Sequence, residues 1–176
     1  MTAMNHLQYL HTDPDLNARD EPTERERELI LAIDALLAAA DPAGIVRDEA
    51  QWYLGTALEG EDALELNLSL GWDRETALRV LLAGGSFALG WGGELGESPV
   101  LTSFRAQSPS VGEMTAAFEA ELSREIRITG GRRLFGGASE LHVRAGDGWV
   151  DLLRGGAPSQ ERQLERASRE VTLRTV

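Results

Sequence analysis

Ala63-Leu64-Glu65-Leu66-Asn67-Leu68-Ser69-Leu70-Gly71-Trp72 sets a leucine or a tryptophan on every second residue, with polar or small residues between them. Successive side chains of a β-strand point to opposite faces, so this stretch reads as a strand with one buried face and one wet face. It is the clearest two-residue alternation in the chain, and the remaining elements are ordered around it.

Upstream, residues 51–58 form a plausible strand, broken by Glu59-Gly60-Glu61-Asp62. Residues 20–40 predict a helix. Asp20 can cap it, Pro22 suits its first turn, and Glu21, Glu24, Glu26 and Glu28 favour the positive end of its dipole. Leu29, Ile30, Ile33, Leu36, Leu37 and Ala40 then recur at helical spacing, and Asp41-Pro42 with Gly44 ends the run. Residues 1–19 are polar and weakly patterned, and are expected to be a mobile arm.

Downstream, Asp73 caps an expected short helix with Leu78, Leu81 and Leu82 as its apolar members, ending at Gly84-Gly85. Residues 86–91 and 99–105 read as strands around a glycine-rich turn at 92–96. Ser110 and Glu113 have the spacing of a capping box, followed by Val111, Met114, Phe118 and Leu122 on a helical period. Residues 125–129 suggest a strand, and 140–145 with 149–154 a hairpin through Gly146-Asp147-Gly148. Residues 159–171 predict a marginal helix with only Leu164, Ala167 and Val171 to bury. Short hairpin-like connections among blocks of strands and helices indicate an α+β fold, a mostly antiparallel sheet with packed amphipathic helices. One α+β domain is expected over 20–176, with a core at 20–124 and a hairpin and C-terminal helix at 125–176.

The chain has 176 residues, a size suited to one domain, and carries 29 Asp and Glu against 17 basic residues, for a formal charge of −12. All 17 are arginine, which reads as the codon preference of a GC-rich, bacterial genome; there is no lysine and no cysteine. Those absences exclude a Walker-A loop, a Schiff-base lysine, a thiol nucleophile, a disulfide framework and a thiolate zinc site. The acidity argues against nucleic acid or an anionic membrane as partner, since phosphate recognition needs clustered positive charge. No secretory signal or membrane-spanning run is legible, so a cytoplasmic location is expected. The charge is uneven. Residues 1–72 hold 15 Asp and Glu against 4 Arg, whereas 73–176 hold 14 against 13. Such asymmetry either steers a basic partner or forms a solvated acidic face.

Asp13, Asp15, Asn17 and Glu24 fall at positions 1, 3, 5 and 12 of a twelve-residue calcium loop, with Glu21 at position 9. Oxygen ligands so spaced can fold around a hard cation, and these twelve residues resemble an EF-hand loop. Ala18 replaces the glycine of the sharp turn and Asp20 an apolar residue, and an acidic linker before a helix produces the same spacing. Calcium is the only cofactor the sequence suggests. His6 and His11 read as arm residues, and His142 as a strand residue pointing away from Leu141 and Val143, within reach of Asp151 or Glu140. No serine lies in a G-x-S-x-G elbow, and the glycines of 84–96 lack the dinucleotide spacing. Trp72 continues the leucine face. Trp52, Tyr53 and Trp91 lie where aromatics serve either as lids over a small core or as interface anchors. With the acidic Glu61, Asp62 and Glu65, they are the candidate partner-binding residues.

The order of elements over 20–124 resembles that of the small acidic chaperones of type III secretion and the related YbjN-like domains. It comprises an amphipathic helix, the alternating Leu64-to-Trp72 strand, a short helix in Ala77-Leu78-Arg79-Val80-Leu81-Leu82, two strands around Gly92-Gly93-Glu94-Leu95-Gly96, and the capped helix from Ser110. The resemblance implies a homodimer without a catalytic site that binds another protein along a helix-and-sheet groove. The leading expectation is a noncatalytic acidic protein-binding module, adaptor or chaperone-like, with another, basic protein as partner. An immunity or antitoxin protein capping a basic toxin is the alternative. A carboxylate-based or calcium-dependent enzyme comes third.

Overall fold

The leucine alternation is realised as a central strand of a five-stranded antiparallel meander. The computed structural model describes residues 6–56, 60–71, 73–92, 101–131, 138–145, 147–151 and 170–175. Helix α1 (Glu24–Ala40) precedes strands β1 (Ile45–Thr56), β2 (Asp62–Leu70), β3 (Asp73–Ala83), β4 (Ser86–Gly92) and β5 (Leu101–Gln107). Helix α2 (Val111–Leu122) leads to β6 (Glu125–Gly131), β7 (Ala138–Ala145), β8 (Gly148–Asp151) and β9 (Glu170–Thr175). The first sheet has the order β1-β2-β3-β4-β5 and the second β8-β7-β6-β9. Every ladder between these strands is antiparallel, and the class is α+β.

Leu64, Leu66, Leu68 and Leu70 are buried. Cross-strand rows extend their face: Trp52, Leu66, Val80 and Leu89 stand side by side across four strands, as do Leu54, Leu64, Leu82 and Phe87. Phe104 of β5 closes the rows, edge-on to Phe87 at 5.9 Å. Leu29, Ile30, Ile33 and Leu37 of α1 and Met114 and Phe118 of α2 belong to the same apolar cluster, which also takes in Ile126, Val143 and Val150 of the second sheet. Burying each such side chain contributes about 1.5–3 kcal/mol, so this face dominates the energetics.

Four expectations are corrected. Residues 73–82 are not a helix but part of β3. Leu78, Val80 and Leu82 face the core with the two-residue period of a strand, leaving Leu81 40% exposed. The glycines expected to end a helix form the hairpin turn instead. Gly84 and Gly85 have φ of +52° and +81°, between the paired Ala83 and Ser86, a conformation that glycine tolerates and that matches the twist of the flanking strands. The cap of α1 is Thr23 rather than Asp20. Its side chain accepts from the Glu26 amide while the Glu26 carboxylate accepts from the Thr23 amide, and α2 repeats this box with Ser110 and Glu113, as its sequence indicates.

The third correction concerns the N-terminal arm, whose described part, 6–19, is a packed strap. Tyr9 and Leu10 are buried in the core. The His11 amide donates to the Ala50 carbonyl and the Trp52 amide to the His11 carbonyl, both at 2.9 Å; the Ala18 amide reaches the Leu54 carbonyl at 2.7 Å. An edge strand offers unpaired amides and carbonyls, and β1 finds partners for its own in this segment. Fourth, residues 170 and 171, placed in the C-terminal helix, belong to β9, which pairs with β6. The rest of that helix, Trp72 and the turn at 93–96 lie outside the described residues.

Candidate functional site

Short local contacts tie the acidic segment 13–26 to β1 and to the start of β2. Asp13 caps a single 3-10 turn, its Oδ1 accepting from the Asp15 amide at 3.0 Å. Asn17 then ties the strap down: its Nδ2 donates to Thr12 Oγ1 at 3.1 Å, and its Oδ1 accepts from the Leu54 amide at 2.8 Å. Arg19 follows as the linking cation. Its guanidinium donates to Glu26 Oε1 and to the Glu21 carbonyl, and its Nε lies 3.6 Å from Asp62 Oδ1. Glu61, beside Asp62, lies over Gly84, and Glu65 stands opposite Tyr53 in the β1–β2 ladder. Asp13, Asp15, Asp20, Glu21, Glu61 and Asp62 are exposed, and Glu65 is half-buried. Burial raises the Tyr53 hydroxyl pKa, and the charge of Asp13 adds to the effect.

The expected calcium ligands are not gathered into one shell. The Asn17 amide is engaged with the strap and β1, and Glu24 pairs with Arg27 on the helix surface at 3.0 Å. Among the described residues, no three histidine, aspartate or glutamate side chains converge to hold a metal ion. His6 and His11 are exposed; His142 is buried, in register with Asp151 of β8.

The expected aromatic anchors lie inside. Trp52 is 5% exposed, Tyr53 9% and Trp91 0%, because β1 and β4 turn them against other strands or the core. Trp91 Nε1 donates to Glu121 Oε2 at 2.8 Å, and Arg124 bridges the other oxygen of Glu121 to the Arg144 carbonyl. This buried chain of polar contacts joins β4, α2 and β7, so Trp91 is a structural residue. Of the partner-binding set, only Glu61, Asp62 and Glu65 offer their side chains outward.

Two features escaped the sequence reading. The first is Asp34, buried on α1. Its Oδ1 accepts from the amides of Tyr9 and Leu10 at 2.8 and 2.7 Å, and its Oδ2 from that of Gln8 at 2.9 Å. The signal was an acid within the helical set Ile30, Ile33, Asp34, Leu37. Arg47 completes this clasp, donating to the Gln8 carbonyl with its guanidinium 5.3 Å from the centre of the Tyr9 ring. Burial raises the Tyr9 hydroxyl pKa, as does the charge of Asp41, while Arg47 opposes them.

The second is a groove of about 560 Å³ between the C-terminal ends of the helices, lined by Leu36, Ala39, Ala40, Pro42, Glu119, Leu122 and Ser123. Arg25, near the start of α1, donates to the Pro109 carbonyl just before α2, so the two helices run side by side in the same direction. Neither has a basic residue in its last turn. The outer face of α1 beyond Glu28 is apolar, with Leu31 39% exposed and Ala35, Ala39 and Ala40 exposed.

Against known protein-family models, curated proteins and solved structures, the chain finds no match. Among the described residues, no helix is long and apolar enough to cross a membrane.

Proposed function

We propose that this chain is a noncatalytic protein-binding module of the adaptor or chaperone-like kind, acting in the cytoplasm as a homodimer on a basic protein partner. The observation that carries the reading is the outer face of α1. A surface helix ordinarily turns polar and charged residues to water, yet from Leu31 to Ala40 this one turns none. That face adjoins the groove against α2, a combination suited to receiving another chain. The test is capture from source cells with the intact chain and with Leu31→Arg, eluted by a salt step. A single specific protein held by the parent and lost from the variant is the expected result. Equal retention on both, or no specific protein on either, would refute the reading.

A second reading rests on the exposed carboxylates around Arg19. An acidic end of this kind suits the capping of a basic toxin, as an immunity protein does. Salt sensitivity is common to both readings. Light scattering separates them: a dimer with a specific client supports the adaptor, and a monomer holding one basic toxic protein supports immunity.

A further inference from the structure

From Leu31 to Ala40 the only charged residue of α1 is Asp34, and it turns inward onto the amides of residues 8–10. Outward stand Leu31, Ala35, the half-buried Ala38, and Ala39, at spacings of four, three and one. At 1.5 Å per residue the apolar strip is about 15 Å long, or nearly three helical turns. Alanines along it leave room for a second helix to approach closely, with Leu31 as the one large projection and the groove floored by Leu36 and Leu122 beside it.

Carboxylates flank the strip. Glu28 is exposed before it, where Glu24 is already paired with Arg27, and Asp41 and Glu119 are exposed beyond it. Because α1 and α2 run in the same direction, their carbonyl ends fall together at the groove. Neither has a basic residue in its last turn, and Arg124, just past α2, is engaged by Glu121 and the Arg144 carbonyl. Each helix end carries a partial negative charge that favours a cation nearby.

We propose that this face receives an amphipathic helix of a basic partner, about three turns long, with leucine-like side chains at i, i+3 or i+4, and i+7 and with arginine or lysine at both ends. This rests on the protein-binding reading above and names the chemistry of its partner. The apolar positions lie along the alanine strip and into the groove. The terminal cations meet Glu28 at one end, and Asp41 and Glu119 with the paired helix carbonyls at the other. A second copy of the chain is a poorer occupant. Two α1 helices packed antiparallel about Ala35 would bring Glu28 of each copy to the negative end of the other, between chains of charge −12 each.

The test uses the full chain and a fluorescent synthetic helix of about fifteen residues with leucines at that spacing and arginines at both ends, read by anisotropy. A control peptide has glutamates in place of the arginines. The arginine peptide should bind at least about tenfold more tightly than the control and weaken with salt, and Ala39→Arg should reduce its affinity at least about tenfold. Ala39 is exposed, so the urea midpoint of that variant should match the parent's and exclude misfolding. Equal binding of both peptides, lost together in Ala39→Arg, would overturn the basic chemistry while leaving a protein-binding face. Arginine-peptide binding unaffected by Ala39→Arg would overturn the site. Binding of neither peptide would also overturn the proposal, and a dimer dispersed by Ala39→Arg in light scattering would then assign the face to a second copy.

Discussion

Replacing Asp34 by alanine tests whether the strap is held by one carboxylate. In the parent, three amides donate to it within 2.7–2.9 Å. A hydrogen bond to a charged group contributes about 1.5–3 kcal/mol, so the three together amount to roughly 5–9 kcal/mol if nothing relaxes. Relaxation sets a lower ceiling, because the strap can peel from α1 and return its amides to water. Peeling gives up the burial of Tyr9 and Leu10, about 1.5–3 kcal/mol each, and the edge bonds to β1, while regaining the chain entropy of about a dozen residues. The expected loss in Asp34→Ala is therefore about 3–5 kcal/mol in urea unfolding. A lower m-value should accompany it if the native state has already shed the strap. Hydrogen exchange at 8–11 and at 50–54 should then accelerate together, since these segments bond to each other. Asp34→Asn can keep its oxygen on Tyr9 and Leu10 but turns an amide N–H toward the Gln8 N–H, so about half the loss is expected. A cost below about 1 kcal/mol in Asp34→Ala, with exchange at 8–10 unchanged, would refute this account.

Three further predictions follow from other contacts. Glu26→Ala removes the α1 capping box and leaves Arg19 without its buried partner, for an expected loss of about 2–4 kcal/mol in urea unfolding. Burial pushes the Glu26 pKa upward, but the bonds from Arg19 and Thr23 outweigh it and the net shift is downward. The stabilisation from Glu26 is thus present above the ordinary carboxylate range and lost as pH falls through its depressed folded value; Glu26→Gln should flatten that part of an acid-unfolding curve. Gly84→Ala forces a side chain onto a φ of +52° and overlaps the Glu61 carboxylate, so a thermal-melt loss of about 1–2 kcal/mol is expected. The only tyrosines are Tyr9 and Tyr53, and both hydroxyls are raised. Ultraviolet titration should show both ionising above the ordinary tyrosine value, with their share of stability intact below that value and lost as pH rises through the folded one.

Part of the fold is settled between residues close together in the chain. The alternation of Leu64 to Leu70 needs only the pleat of a strand, and the Ser110–Glu113 box only one helical turn, and both elements form. The opposite face of that strand, expected to be wet, has Ala63 and Ser69 buried and Glu65 and Asn67 half-buried. The helical face of Leu29, Ile30, Ile33 and Leu37 belongs with them. The tertiary structure decided whatever depends on distant partners. Leu78, Leu81 and Leu82 suit a helix, whereas Leu78, Val80 and Leu82 suit a strand. The choice fell to β2 and β4, which flank β3 and bond to it on both sides. Tyr9 and Leu10 carry no local sign of burial, because the carboxylate that holds their amides lies 25 and 24 residues away. Trp91 became an interior residue through Glu121, thirty positions on, and the apolar face of α1 stayed outside because no described element packs over it. Local periodicity states which face of an element is apolar, while burial of that face is decided by what the rest of the chain folds against it.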